Sequence, residues 1–384
     1  MEQRDIIIVG SGPAGISTAL SLSRIAPELR SEIVVLEKDV HPRHKLCGGG
    51  VTNYADELLR KLGLRSQIPS VFVHRVRIHT PFKDVELVRP ALFRVVQRDA
   101  FDADHVKQAR AMGIDIRENC KVVHLRRQNG RVEVATNRET FRAKVVVGAD
   151  GANGVVRRTL IREPRSRVSR LVEVLVPADA QVTPEFCHNL AIFDFRVMSD
   201  NIAGYCWSFP SLVQGRPFLN IGVFDSRIAG GAGPDLRQAL SAYLRERRID
   251  RAQVTFMAHP ERWFAPDGTY AVPNVLLVGD AAGIEPWFGE GISVALAYGP
   301  VAARAIKQAF DTDCFDFADY RRLILKSRLG KLLRRNQLIA RYFYSGNWSR
   351  FFRWLVSVGS LYLNFKARFQ AAPSELFSQS GERV

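Results

Sequence analysis

The stretch from Ile6 to Glu37 constrains this chain more than any other. Ile6, Ile7, Ile8 and Val9 form a short run of β-branched apolar residues, the pattern of a parallel strand buried on both faces. Gly10-Ser11-Gly12-Pro13-Ala14-Gly15 follows at once. Next come a helical stretch with Ile16, Ala19, Leu20 and Leu22 on one face, and a second apolar run, 32–36, that ends at Glu37. Strand, glycine turn, helix and strand in this order make a βαβ unit of the kind that binds a dinucleotide. Each part has a physical reason. Gly10 allows the tight turn, Gly12 lets a pyrophosphate approach the backbone, and Gly15 lets helix and strand close together. The helix start offers unpaired N–H groups and a positive dipole end to the phosphates. Glu37 stands 22 residues after Gly15, where its carboxylate can accept from ribose hydroxyls and would repel a 2′-phosphate. NADP is therefore disfavoured here, while FAD and NAD both fit the unit.

Two later strands end in the same manner. Val145-Val146-Val147-Gly148 runs into Ala149-Asp150-Gly151. Val275-Leu276-Leu277-Val278 runs into Gly279-Asp280, then Pro286, Gly289-Glu290-Gly291-Ile292 and a helix from Ser293 to about Phe310. Each strand delivers an acid to its C-terminal tip, where α/β sheets bind ligands. The basic loop His41–Gly50 carries Arg43, Lys45, Cys47 and three successive glycines, Gly48 to Gly50. It reads either as a flexible connection or as a loop that presents Cys47 beside the cofactor. Arg98, at a helix start before Phe101 and Asp102, is either a solvated cation or a cofactor contact.

The rest of the chain alternates apolar and polar residues over 71–97 and 161–265, as antiparallel strands do. Tyr205, Trp207 and Phe209 fall on one strand face, an arrangement that by itself suits core packing. We therefore expect an α/β fold in which a Rossmann-like dinucleotide-binding domain (1–70, 98–160 and 268–320) is joined to an antiparallel-sheet domain (71–97 and 161–267). A basic helical C-terminal region (321–384) would follow.

Charge adds one constraint. The net charge of the 384-residue chain is +16, and between Arg321 and Arg368 there are twelve Lys or Arg and no Asp or Glu. Basic residues mixed with Trp, Phe and Tyr in 348–369 suit an interfacial helix on anionic lipid, and no uncharged apolar run there is long enough to span a bilayer. A helical lid with a solvated basic face is the other reading. No nucleic-acid recognition motif accompanies the charge, so nucleic acid is not expected as a partner. The five cysteines show no metal-ligand spacing, which argues against a metal site and for a reducing cytoplasmic setting, and the immediate start of the first strand argues against a signal peptide.

Taken together, Gly10-x-Gly12-x-x-Gly15 with Glu37, Asp150-Gly151 with Arg157, and Gly279-Asp280 with Pro286 resemble the FAD fingerprints of the p-hydroxybenzoate-hydroxylase-type flavoproteins. The resemblance covers about residues 1–310 and implies that the Rossmann-like part is an FAD-binding domain and the antiparallel-sheet part a substrate domain. It implies that Gly10, Gly12, Pro13, Ala14 and Gly15 hold the ADP pyrophosphate, and that Glu37, with Lys38 and Arg43 beside it, holds the adenosine side. Asp280 would hold the ribityl part, and Gly289, Gly291 and Ile292 would lie near the isoalloxazine. Arg98 would join these contacts.

Arg43-x-Lys45-x-Cys47-Gly48-Gly49 and Tyr205-x-Trp207-x-Phe209-Pro210 further resemble the geranylgeranyl reductase family. There the aromatic strand shapes a substrate cavity over the flavin and the Cys loop borders it. The resemblance implies an enzyme in which reduced FAD passes a hydride to an alkene carbon of a polyprenyl chain, with Cys47, Tyr205, Trp207 and Phe209 at the reaction site. The substrate would be a hydrophobic isoprenoid or lipid. With only one dinucleotide fingerprint present, electrons would come from transiently docked NAD(P)H or from a ferredoxin-like protein. The site of action would be cytoplasmic, peripheral on the inner face of the cell membrane. The alternative is an FAD-dependent monooxygenase or halogenase acting on an aromatic substrate, although the single Trp207 and the Phe209-Pro210 ending depart from the halogenase motif. A protein that keeps FAD only as a structural element is a third reading.

Overall fold

A computed structural model of the chain describes residues 1–161, 167–230 and 233–345. Within them the βαβ unit forms as its sequence dictates. Ile6–Val9 is the inner strand of a six-stranded sheet ordered 271–272, 275–277, 145–148, 6–9, 33–36, 115–117, parallel throughout except for its first, edge pair. Ile6, Ile7, Ile8 and Val145–Val147 are fully buried, which is why these strands read as unbroken apolar runs rather than alternating ones.

Helices Pro13–Ile25 and Ile292–Thr312 pack on each other at backbone distance. Ser17 Oγ donates to the Leu296 carbonyl at 2.6 Å, and a side-chain carbon at Gly299 would fall 2.1 Å from that hydroxyl. This contact fixes the two helix starts side by side. A small sheet of 2–3, 140–143, 131–136 and 122–128 lies apart from the six strands.

The second large element is an eight-stranded sheet, ordered 257–262, 168–177, 216–225, 204–213, 190–194, 70–79, 85–96, 50–52. All neighbours are antiparallel except 190–194 with 70–79. Register decides what its faces carry. Trp207 stands opposite Gly222 and Phe193, Tyr205 opposite Phe224, Phe224 opposite Leu171, and Leu171 opposite His259. Counting in twos, the aromatic strand shares one face with Asn220, Glu173, His259 and Glu261.

The strand that starts at Leu190 stops at Asp194, whose carboxylate accepts from the Arg196 backbone N–H at 3.0 Å and starts a 3₁₀ turn, Phe195–Asp200. One expectation is corrected in detail. Gly50–Thr52, placed with the cofactor-binding part of the chain, is hydrogen-bonded into the eight-stranded sheet along Phe93–Val95.

The C-terminal region is helical as expected up to residue 345, with Tyr320–Lys326 and Arg328–Tyr344. Leu329, Leu333, Asn336, Gln337, Ala340, Phe343 and Tyr344 are buried at helical spacing, while Lys331, Arg334, Arg335 and Arg341 are exposed. Tyr320 donates to the Leu277 carbonyl at 2.9 Å and Tyr344 to the Trp287 carbonyl at 2.7 Å, so both helices are tied to the body. The aromatic stretch 348–369 lies outside the described residues. Among the described residues no helix is long and apolar enough to cross a membrane.

Candidate functional site

A cleft of about 460 Å³ opens at the C-terminal ends of strands 6–9 and 145–148. Its floor is built by two helix starts. Gly12 caps helix Pro13–Ile25, Gly291 caps helix Ile292–Thr312, and neither start has a side-chain cap or an acid in its first turn. The free N–H groups of both therefore face the same space, an arrangement suited to an anion. The glycines make it possible. Gly10 has φ +104°, and a side-chain carbon there would stand 2.5 Å from the Ala149 carbonyl oxygen; at Gly15 it would stand 2.0 Å from the Gly10 oxygen.

One end of the cleft is a buried charge network around Glu37. Its Oε2 accepts from Ser11 N at 3.0 Å and from Ser11 Oγ at 2.7 Å, and Arg43 Nε lies 3.4 Å away. Burial pushes the carboxyl up, but Arg43 and the Ser11 donors outweigh it and hold it below the usual range. Arg43 also reaches Asp102 at 3.3 Å, and Asp102 takes both Arg98 nitrogens at 3.0 Å. A buried charge persists only when it is paired, and here each carboxylate faces an arginine.

At the other end, the loop carrying Cys47 is fastened to the eight-stranded sheet. Cys47 N donates to Glu173 Oε1 at 3.1 Å, and the Asn220 amide donates to the Cys47 carbonyl at 3.1 Å. Asn220 in turn accepts from the Trp207 indole at 2.8 Å. Lys45 meets His259, and Glu261 lines the cleft beside them. Burial pushes the Cys47 thiol up and the Lys45 amine down, and holds His259 near 3 and Glu173 near 7.

The residues expected to hold the cofactor fall into two groups. Gly10, Gly12, Pro13, Ala14, Glu37, Lys38, Arg43, Cys47, Arg98, Asp150, Gly151, Asp280, Gly291 and Ile292 all line this one cleft. Gly15, Gly48, Gly49, Gly279, Pro286 and Gly289 stand behind its wall. Gly279 packs against Ala14, and Pro286 and Gly289 belong to a turn wrapped around Glu285, which accepts from the N–H groups of Trp287, Phe288 and Glu290.

Tyr205, Trp207 and Phe209, expected at the reaction site, do not line the cleft. They are 4–7% exposed and packed among Phe193, Phe224, Phe288 and Phe93, with Tyr205 donating to the Phe288 carbonyl at 2.6 Å. Their link to the cleft runs through Asn220 and through Gly48, whose missing side chain would meet Trp207 and Phe209 at 3.3 Å.

Glu173, His259, Glu261 and Asn220 went unnoticed in the sequence. Glu173 alone left a mark there, as a single acid inside the apolar run 171–175.

A dinucleotide flavin fits this donor set. A glycine cradle and two helix starts suit the pyrophosphate, and Glu37 suits the ribose. Asp150 Oδ1 on the wall is buried without a partner, and burial raises its carboxyl to about 6. Fold and site thus define a flavoprotein of the dinucleotide-binding α/β class.

Comparison with known proteins narrows the class. Residues 3–298 match the family model described as an FAD binding domain, and the chain belongs to that family of FAD-dependent oxidoreductases. A menaquinone reductase of Mycolicibacterium smegmatis is 29% identical over 80% of this chain and 78% of its own length. A digeranylgeranylglycerophospholipid reductase of Thermoplasma acidophilum is 26% identical, over 82% of this chain and 80% of its own length. Among solved structures, a geranylgeranyl bacteriochlorophyll reductase-like protein of T. acidophilum superposes with a TM-score of 0.72 at 22% identity, over 90% of this chain and 88% of that one. The flavin-dependent brominase Bmp2 superposes at 0.66 with 19% identity, over 91% and 92%. At these identities the structural likenesses establish the fold and leave the chemistry to the site.

Proposed function

We propose that the protein is an FAD-dependent reductase that saturates carbon–carbon double bonds of a polyprenyl, geranylgeranyl-type substrate. The observation that carries this reading is the junction of the cleft with an aromatic sheet face: Trp207 through Asn220 to the carbonyl of Cys47, with Gly48 against Trp207 and Phe209. A long apolar chain needs apolar surroundings beside the redox centre, and the aromatic face stands directly behind Gly48 of the Cys47 loop. The named reductases among the relatives support the same choice.

In this reading Gly10–Gly15 and the start of helix Ile292–Thr312 hold the pyrophosphate, and Glu37 holds the ribose. Asp150 and Asp280 bind further along the cofactor, and the Cys47 loop closes over its far end. When bound, FAD supplies hydride transfer; the chain's own share is to orient the substrate and exclude water. The six-stranded part acts as the cofactor domain and the eight-stranded sheet as the substrate domain. Electrons arrive from NAD(P)H or a ferredoxin-like partner. The exposed cations Arg321, Lys326, Lys331 and Arg334, which surround one shallow concavity, rest on an anionic membrane surface on the cytoplasmic side.

The test is anaerobic. Protein reduced with dithionite is mixed with geranylgeranyl diphosphate, following flavin reoxidation and the product mass. Reoxidation with a gain of two hydrogens per double bond supports the reductase. Reoxidation only once air is admitted, with an aromatic substrate oxygenated or halogenated, replaces it with the oxygen-dependent alternative.

A further inference from the structure

Saturating an alkene requires a proton as well as a hydride, and the site contains several acids that differ sharply in how they are held. The Glu285 carboxyl is satisfied, accepting three backbone N–H groups. Glu37 and Asp102 face arginines. Glu261 is different. Among the described residues its Oε2 has no hydrogen-bond partner and is shut off from solvent, and yet its side chain lines the cleft.

Its position is specific. The point where a side-chain carbon on Gly289 would stand is 2.8 Å from Glu261 Oε2 and 3.0 Å from the Phe224 ring, and Phe224 lies 5.6 Å from Tyr205. Glu261 therefore sits where the polar cleft meets the aromatic sheet face. Resting on the reductase reading, we propose that Glu261 is the catalytic acid that delivers the proton to the alkene.

The step balances. The O–H bond of Glu261 breaks, its proton forms a C–H bond at one alkene carbon, and the electron pair stays on the carboxylate. The π bond is consumed, and the hydride at the neighbouring carbon comes from the reduced flavin, which loses two electrons. Glu261 regains its proton from solvent through the cleft, past Lys45. The surroundings favour a neutral acid at rest. Burial raises the Glu261 carboxyl well above its ordinary range, and Asp280, Glu285 and Glu173 add to this against the opposing charge of Lys45. Glu173, 2% exposed with an unpartnered Oε2, backs the same corner.

Glu261→Gln keeps shape and neutrality but has no proton to give. In the dithionite-reduced holoenzyme, reoxidation by geranylgeranyl diphosphate is expected to fall by roughly 10² to 10⁴-fold, while bound flavin and its reduction are retained. Glu261→Asp is expected to recover part of the rate. Independently of turnover, the infrared difference between oxidised wild type and Glu261→Gln is expected to show one protonated-carboxyl carbonyl band that shifts in D₂O. An undiminished rate in Glu261→Gln, or no such band, overturns the inference while leaving the reductase standing. Wild-type flavin that no polyprenyl alkene reoxidises overturns the reductase reading and this inference with it.

Discussion

Glu173 offers a thermodynamic test of the site that does not depend on finding the substrate. It lies mid-strand in 168–177, with Oε1 holding the Cys47 N–H and Oε2 unpartnered. Burial raises its carboxyl from the ordinary 4.5 to about 7, although Cys47 N, Lys45 and Asn220 pull it down. The folded value stands above the unfolded one, so the neutral acid stabilises the fold fully below pH 4.5, and that stability is lost as pH rises through about 7. At about 1.4 kcal/mol per pH unit the full loss is about 3 kcal/mol, of which about 2 to 3 kcal/mol falls between about pH 5 and about pH 8. Glu173→Gln cannot ionise and loses nothing over that range. Denaturant unfolding of wild type and variant at both pH values reads this group together with its coupling to Glu261 and Lys45, because titrations elsewhere cancel in the difference. The variant is expected to gain about 2 to 3 kcal/mol on wild type between the two. A difference that does not change with pH refutes the assignment of a buried neutral acid.

Three further outcomes are expected. Glu37→Arg removes the acceptor of both Ser11 donors and sets a second cation against Arg43, so the protein should purify with little flavin; a full flavin-to-protein absorbance ratio would refute the ribose role. Gly15→Val forces a side chain onto the Gly10 carbonyl and should abolish cofactor binding and lower the melting temperature, read by flavin fluorescence and thermal unfolding. Trp207→Ala empties a buried ring site and frees Asn220; it should cost about 3 to 5 kcal/mol of stability and impair turnover while flavin stays bound, and unchanged kinetics on the alkene would return the strand to pure core packing.

The parallel strands were legible because burial on both faces leaves only apolar residues, as in Ile6–Val9 and Val145–Val147, and because glycines that must approach a backbone tolerate no substitute. The shared cleft followed from strand ends that each carry an acid. What the sequence did not disclose depends on register between distant strands. His259 and Glu261 look like the solvated half of an alternating strand until pairing with 168–177 places them on the cleft side. Asn220 becomes informative only when Trp207 is found 2.8 Å from it. The aromatic strand misled in the other direction: its rings are packed core, and they influence the cleft through one amide and one glycine rather than by lining it.

The hydrogen-bonded series from Trp207 to Asn220 to the Cys47 carbonyl crosses from the large sheet to the loop that borders the cleft, and it ties the two together. A guest large enough to push the indole aside must take the amide with it and release the loop. Occupancy of the sheet would then be visible as a shift in the flavin spectrum before any electron moves, so that a ligand too saturated to react could still be detected by colour alone.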